Sequence, residues 1–137
     1  MPTILFVDPG EGYRSMARDA LLEGAIATDL RTLATGAELL AYLERDGTPA
    51  PSLVLLDASL PGEPSALHLI RTLKQAPGTR TIPIVVLGEP DAAEAAYEAG
   101  ANTYMVKPVT FLALVRLMKT LTAYWLEAAE LPRREAA

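Results

Sequence analysis

Short apolar runs alternate along this sequence with longer segments in which apolar residues recur at helical spacing. Three of the runs, residues 3–7, 53–56 and 84–87, are almost wholly apolar. A strand that is apolar on both faces is typical of a parallel sheet covered by helices, not of a stack of antiparallel hairpins. Two weaker runs, residues 25–31 and 102–106, predict a second and a fifth strand.

Five segments with a helical period of apolar residues lie between and after the predicted strands. They are residues 13–23, a stripe at Leu39, Leu40 and Leu43, a stripe at Leu67, Ile70, Leu73 and Lys74, residues 91–99, and residues 110–127. The chain therefore repeats a β-α unit five times, and right-handed crossovers then favour a doubly wound α/β fold with helices on both faces of a parallel sheet. We predict one domain over residues 1–131 and a polar tail over residues 132–137.

Composition and charge exclude several classes of protein. The 137 residues contain no cysteine and carry a net charge of −5. Without cysteine there is no disulfide framework and no thiolate metal site, which fits a reducing cytoplasm. A negative balance argues against nucleic-acid binding, because basic side chains supply most of that affinity. No apolar run reaches the ~20 residues that span a bilayer, and no basic stretch precedes the first run, so we expect neither a membrane segment nor a secretory signal.

Three charged side chains follow predicted strands at the edge of the sheet where doubly wound folds bind their ligands. Asp8 follows the first strand, Asp57 the third and Lys107 the fifth. Two carboxylates brought close together repel each other, and a nearby cation offsets that repulsion. Lys107 would supply one positive charge, and Mg²⁺ with oxygen ligands would supply more. Taken singly, Asp57 could instead cap a turn, and Lys107 could be a surface lysine.

Four segments carry a resemblance to a known family: ILFVD, LVLLDASLP, IPIVVL and AGANTYMVKPV. Together they cover nearly the whole chain and resemble the CheY-like receiver domain of two-component response regulators. The resemblance implies a flavodoxin-like (βα)5 fold with five parallel strands in the order 2-1-3-4-5. It also implies a phosphorelay signalling protein rather than an enzyme, in which Asp57 accepts a phosphoryl group from a sensor histidine kinase and Lys107 pairs with the phosphoryl oxygens.

The same resemblance assigns further roles by position. Mg²⁺ would be bound by Asp8, Asp57 and the backbone carbonyl of Ser59. Tyr104 would be the switch aromatic that turns inward on phosphorylation, acting with position 88 at the end of the fourth strand. The family usually has a cis peptide bond after the lysine, here between Lys107 and Pro108. The helix end TAYWLEAAELP is similar to single-domain regulators associated with bacterial phytochromes, which implies a phytochrome-type kinase as partner.

Two departures from the family pattern fall in the site itself. Pro9 stands where the family has a second acid that touches the metal, and Glu11 is the nearest carboxylate that could replace it. Gly88 stands where the family has a hydroxyl residue that hydrogen-bonds the phosphoryl group. The neighbouring Glu89 is either an exposed loop residue or a partner that holds Lys107 in an ion pair. We therefore expect Mg²⁺ binding to be weak or lost, and both phosphorylation and its absence stay open.

Two departures lie outside the site. The 19 residues from Gly88 to Lys107 are shorter than in the family by most of a helical turn of ~3.6 residues. In the loop LPGEPS, Ser65 replaces a turn glycine. The only histidine, His68, falls on the third predicted helix, where we expect an ordinary surface residue rather than a phosphorelay histidine.

The last predicted helix is apolar over more of its circumference than a single core contact requires. The residues predicted to form an interface are Phe111, Leu114, Met118, Leu121, Tyr124 and Trp125. Contiguous apolar surface and large aromatic side chains are features of protein interfaces. We predict a homodimer through the fifth helix and the fifth strand. In the alternative, the extra helical turn folds back over its own domain.

Two functional hypotheses remain, with two weaker ones beside them. The first is a single-domain response regulator that signals through protein–protein contacts. The alternative is a pseudo-receiver adaptor that acts through its dimer face without phosphorylation. A flavodoxin-type FMN protein is disfavoured because DPGEG is acidic where phosphate would bind, and an aspartyl phosphatase because no second Asp stands two residues after Asp57.

Overall fold

Five parallel strands form one sheet in the computed structural model, which describes residues 1–132. The strands are β1 (Thr3–Val7), β2 (Asp29–Leu33), β3 (Leu53–Asp57), β4 (Ile84–Gly88) and β5 (Thr103–Val106). Their order across the sheet is β2-β1-β3-β4-β5, and every neighbouring pair is parallel. The predicted flavodoxin-like α/β fold and its strand order are confirmed. Most of the predicted polar tail, residues 132–137, lies outside the described residues.

Five α-helices and one wider helical turn connect and cover the strands. They are α1 (Glu11–Glu23), α2 (Gly36–Glu44), α3 (Ala66–Gln75), α4 (Glu94–Ala99), α5 (Phe111–Thr122) and the π-helical segment Ala123–Ala128. No helix within residues 1–132 is long and apolar enough to cross a membrane.

The sheet separates two hydrophobic cores because successive side chains of a strand point to opposite faces. Every residue of β1, β3 and β4 is buried, as expected for strands covered on both faces. Leu5 and Leu56 belong to the core shared with α2, α3 and α4. Phe6 and Leu55 belong to the core shared with α1 and α5.

The second strand begins four residues later than predicted. Ala25 has a positive φ of 52°, and a turn with backbone hydrogen bonds from Ala25 and Ile26 back to α1 precedes the strand. Pairing with β1 then sets the register, with Thr3 opposite Asp29, and the Thr3 hydroxyl donates to the Asp29 carboxylate at 3.1 Å. As an edge strand, β2 is only half-buried, so its hydrophobic pattern is weak.

Two helices also differ from prediction at their ends. α4 begins at Glu94 rather than at residue 91, because Asp91 has a φ of 60° and cannot continue a right-handed helix. It spans only six residues and ends at Gly100, whose φ of 114° favours glycine. The last α-helix ends at Thr122, and a π-helical turn carries the chain on to Ala128 instead of the predicted regular helix.

Candidate functional site

The ends of three strands bring three charged side chains together. Asp8 directly follows β1, Asp57 is the last residue of β3, and Lys107 directly follows β5. The Lys107 Nζ lies 2.6 Å from Asp8 Oδ2 and 3.6 Å from Asp57 Oδ1. The two aspartates are 2% and 6% exposed, whereas the Lys107 side chain is 28% exposed. One ammonium thus lies between two buried carboxylates, reaching across the end of β4.

Hydrogen bonds from the start of α1 fix Asp8 in position. Its Oδ1 accepts the Gly10 backbone N–H at 2.8 Å, and its backbone carbonyl accepts a guanidinium hydrogen of Arg14 at 2.7 Å. Its own N–H donates to the Leu33 carbonyl at 3.0 Å, which continues the pairing of β1 with β2. Since Lys107 contacts Oδ2, both oxygens of this carboxylate already have a partner.

Asp57 binds protons more tightly than an ordinary carboxyl group does. Burial is the main cause that raises its pKa, and the negative charge of Asp8 acts in the same direction. The positive charge of Lys107 and a hydrogen bond from the Ser59 backbone oppose this shift. A more basic carboxylate that is still ionised is a better nucleophile, so the environment suits Asp57 to attack an electrophile.

The aromatic ring of Tyr13, on the first turn of α1, contacts the Lys107 ammonium. The Nζ of Lys107 lies 4.2 Å from the centroid of the Tyr13 ring. The Tyr13 hydroxyl donates to the Pro108 carbonyl at 2.7 Å, and the ring stacks on Phe6 with centroids 6.0 Å apart and planes 10° apart. Burial and the charges of the two aspartates raise the pKa of Tyr13 to about 12, so the hydroxyl remains a donor. Tyr13 was not among the predicted site residues.

The phenol of Tyr104 lies over Gly88 at the end of β4. A Cβ on Gly88 would overlap the phenol oxygen and would lie 2.8 Å from the Cβ of Ala58. The Tyr104 hydroxyl donates to the Glu89 carbonyl at 2.7 Å, and its backbone N–H donates to the hydroxyl of Tyr97 at 3.0 Å. The missing side chain at position 88 thus leaves the space that this aromatic side chain fills.

Glu89 is exposed, which agrees with a loop residue, and two other possibilities raised for Lys107 are wrong. Glu89 forms no ion pair with it in the part of the chain that the structure describes, because the ammonium is drawn to the buried Asp8 instead. Within residues 1–132 the one cis peptide bond joins Glu63 to Pro64, so the bond after Lys107 is trans. In this arrangement the Lys107 ammonium contacts Asp8, and the Pro108 carbonyl accepts a hydrogen bond from the Tyr13 hydroxyl.

The site offers a divalent cation two side-chain carboxylates, and Lys107 contacts both of them. No group of three or more His, Cys, Asp or Glu side chains is placed to hold a metal ion among residues 1–132. Pro9 contributes no side-chain oxygen, and Glu11 is an exposed residue that does not join Asp8 and Asp57 in such a group. Because each Asp8 oxygen already has a positively polarised partner, a cation here would compete with Lys107 for this carboxylate.

The predicted interface residues divide into two groups. Three of them, Leu114, Met118 and Leu121, are buried in the core against α1, so their prediction as interface residues is wrong. Their spacing of four and three residues forms one stripe, which packs on the molecule's own core. Phe111 and Tyr124 are exposed, and Trp125 is partly buried with its ring edge-on to Tyr124. Further exposed apolar residues missed by prediction are Val106, Val109 and Leu112.

Two residues of α3 have plain structural roles. The hydroxyl of Ser65 accepts the backbone N–H of His68 at 3.2 Å and caps the N-terminus of the helix. The His68 side chain is exposed, as predicted for a surface residue, and lies on a helix rather than beside the three charged groups.

Comparison with known proteins gives a consistent picture. The family model described as response regulator receiver domain matches residues 4–119. The sequence is 29% identical to the response regulator Rcp1 of Synechocystis sp. over 136 residues, which cover 94% of this chain and 92% of that protein. The crystal structure of the Mn²⁺-bound form of Rcp1 has a TM-score of 0.81 at 28% identity, and covers 97% of this chain and 100% of that chain.

Two other solved structures are similar over nearly the whole length. Response regulator RPA3017, in red light signalling of R. palustris, has a TM-score of 0.87 at 26% identity and covers 97% of this chain and 99% of that chain. The phosphorylated cyanobacterial phytochrome response regulator RcpA has a TM-score of 0.85 at 27% identity and covers 96% of this chain and 99% of that chain.

Proposed function

The chain belongs to the response regulator receiver domain family, and we propose that it signals by accepting a phosphoryl group on Asp57 from a histidine kinase. One observation carries the proposal: Asp57 is buried at the end of β3 with the Lys107 ammonium 3.6 Å from its Oδ1. A buried, unusually basic carboxylate beside a fixed positive charge is a suitable acceptor for an anionic group.

The transfer itself is a displacement at phosphorus. A carboxylate oxygen of Asp57 bonds to phosphorus while the bond between phosphorus and the imidazole nitrogen of a phosphohistidine breaks. The electron pair of the broken bond stays on the imidazole, which takes up a proton from solvent. Lys107 would leave Asp8 in part and neutralise the oxygens of the transferred group.

The cation that assists this chemistry in the family would bind weakly here. Rcp1 has been solved in a Mn²⁺-bound form. In this chain Asp8, Asp57 and the backbone carbonyl of Ser59 are the groups that would hold Mg²⁺. Because Lys107 already neutralises Asp8, we propose that the ion competes poorly for the site.

The relatives and the geometry of the site support proposals for the partner and for the switch residue. RcpA is a phytochrome response regulator and RPA3017 acts in red light signalling, so we propose a phytochrome-type kinase as partner. We propose Tyr104, packed over Gly88, as the side chain that responds to the state of Asp57. Burial, together with the charges of Glu89 and Asp57, raises the pKa of Tyr104, so its phenol remains a hydrogen-bond donor.

Intact mass spectrometry tests the phosphoryl proposal directly. The protein is incubated with Mg²⁺ and either acetyl phosphate or phosphoramidate, whose N–P bond resembles that of phosphohistidine. We expect one phosphate adduct on the wild type and none on Asp57→Asn, because the amide nitrogen and oxygen cannot replace the nucleophilic carboxylate. If neither donor gives an adduct, the proposal is contradicted and the adaptor that acts without phosphorylation is favoured.

We propose a homodimer, and the exposed apolar residues around β5 and α5 support it. They are Val106, Val109, Phe111, Leu112 and Tyr124. We expect Leu112→Glu to raise the dimer dissociation constant by about tenfold or more, because it places a charge in an apolar contact. Light scattering over a range of concentrations measures this. Leu22→Glu, at an exposed leucine of α1 outside β5 and α5, is the matched control, and a monomeric wild type would refute the dimer.

A further inference from the structure

We infer that Tyr13 is a positioning residue that holds the Lys107 ammonium on Asp8 and thereby opposes the binding of divalent cations to the site. The inference rests on the proposed site. Its test reads cation binding rather than phosphorylation, so the inference and the proposed function can fail separately.

The ring of Tyr13 is the third group in contact with the ammonium. The other two are the carboxylates of Asp8 and Asp57, at 2.6 and 3.6 Å from Nζ. The centroid of the Tyr13 ring is 4.2 Å from Nζ, within the ~6 Å over which a cation is attracted to an aromatic face. Most of the Lys107 side chain is shielded from water, which strengthens this attraction.

The ring cannot turn away from Lys107 because both of its ends are fixed. Phe6 of the buried β1 stacks against it with nearly parallel planes. At the other end the hydroxyl donates to the carbonyl of Pro108, the residue that follows Lys107. Tyr13 therefore binds both the ammonium and the backbone that carries it, and ties the loop after β5 to α1.

This arrangement places Lys107 in competition with a metal ion for Asp8. The Oδ1 of Asp8 accepts the Gly10 N–H and Oδ2 contacts Lys107, so a cation bound to Asp8 would share an oxygen with one of these donors. Pro9 offers no second carboxylate that could bind the cation away from Lys107. Any interaction that retains the ammonium on Asp8 therefore disfavours a cation there, and the contact with Tyr13 is one of them.

Titration with Mn²⁺, followed by the electron paramagnetic resonance signal of the free ion, tests the inference. We expect Tyr13→Leu to bind Mn²⁺ about threefold to tenfold more tightly than the wild type, because the ammonium has lost an aromatic contact. Tyr13→Phe keeps the ring contact with Lys107 but loses the hydrogen bond to Pro108, so its affinity is expected to lie between those of the wild type and Tyr13→Leu. Lys107→Met is expected to bind more tightly than Tyr13→Leu, because the competing cation is gone.

A double variant separates positioning from a general structural effect. In the Lys107→Met background, Tyr13→Leu is expected to change Mn²⁺ affinity by less than about twofold, because no ammonium remains to be held. The inference is wrong if Tyr13→Leu leaves the affinity unchanged, or if it acts equally with and without Lys107. It is also wrong if Lys107→Met itself binds no Mn²⁺, since the ammonium is then not what excludes the ion.

The ammonium can also be observed without a metal. In nitrogen-15 spectra of lysine side chains, we expect a slowly exchanging Nζ signal for Lys107 in the wild type and in Tyr13→Phe, and its loss in Tyr13→Leu. This measurement keeps the inference testable if Tyr13→Leu is too unstable for a cation titration at room temperature. Retention of the signal in Tyr13→Leu would overturn the positioning role.

Discussion

Replacing Gly88 with alanine is expected to drive the Tyr104 phenol away from the end of β4 and to lower the free energy of unfolding by about 1–3 kcal/mol. The new Cβ would overlap the phenol oxygen, and its other close neighbour, the Cβ of Ala58, is 2.8 Å away. The phenol would lose its hydrogen bond to the Glu89 carbonyl, and the ring would lose its contact with the core. Urea denaturation measures the stability, and carbon-13 labelling of the tyrosine rings reports the movement of Tyr104.

Two controls identify the phenol as the cause. Gly12→Ala places the same methyl group on α1, where nothing lies within 4 Å of the new Cβ, so it is expected to stabilise the protein by about 0.5–1 kcal/mol. Adding Tyr104→Ala to Gly88→Ala should remove most of the cost of the new methyl group, leaving the smaller effect of Ala58. Strict additivity of the two substitutions would show that Tyr104 does not fill the space over Gly88.

Replacing Lys107 with methionine is expected to abolish the phosphate adduct on Asp57 and to destabilise the fold at neutral pH. Asp8 and Asp57 would be left as two buried carboxylates without a positive charge. We expect the free energy of unfolding to fall by about 3 kcal/mol, the lower end of the ~3–5 kcal/mol range for breaking buried ion pairs. The lower end applies because the Lys107 side chain is 28% exposed.

The pH dependence of this loss has a definite sign. Burial raises the pKa of Asp57 above its ordinary value of 3.8, and Lys107 opposes that rise. In Lys107→Met the pKa of Asp57 in the folded state is therefore higher still, and an acid with a raised folded pKa destabilises the fold only while it is ionised. The deficit relative to the wild type is expected to shrink as the pH falls through that pKa toward 3.8.

Substitutions in the same cluster and on the surface control for this result. Adding Asp8→Asn to Lys107→Met leaves only one carboxylate and is expected to recover much of the lost stability at neutral pH. Lys119→Met removes an exposed lysine from α5 and is expected to change stability by less than about 0.5 kcal/mol. A Lys107→Met protein as stable as Lys119→Met would mean that the ammonium does not neutralise the pair.

The placement of the charged site could be predicted from sequence for a simple geometric reason. The apolar runs before Asp8 and Asp57 mark where two buried strands end, and the carboxyl ends of parallel strands meet at one edge of a sheet. Lys107 follows the weaker fifth strand and reaches the same edge. The resemblance to receiver domains and the strand order are both confirmed, because each depends on these well-defined runs.

The contacts around Lys107 could not be predicted, because they depend on the rotation of a helix and the path of a loop. Tyr13 and Pro108 are separated by 95 residues, and nothing in their local sequence indicates a hydrogen bond between them. An aromatic residue on the first turn of α1, beside a predicted charged site, was the available signal. The possible ion pair between Glu89 and Lys107 rested on Glu89 following the fourth strand, and it did not take account of the attraction of Lys107 to the buried Asp8.

The apolar last helix shows a second limit of sequence patterns. Leu114, Met118 and Leu121 were predicted as an interface but pack against α1, because a helix that is apolar nearly all round does not indicate which stripe faces the sheet. The end of the helix was misjudged for a related reason. Ala123–Ala128 retains helix-forming residues, and only the wider hydrogen bonding of the π-helical turn distinguishes it from an α-helix.

The ion pair between Asp8 and Lys107 spans 99 residues and has a consequence for biosynthesis. Synthesis delivers the chain from its N-terminus, so both carboxylates leave the ribosome well before the lysine that neutralises them. Lys107 follows β5, the last strand in the sequence, which lies at the outer edge of the sheet and pairs with β4 alone. An incompletely synthesised chain therefore contains both carboxylates without the ammonium that lies between them, so the proposed acceptor site is complete only after residue 107 has been added.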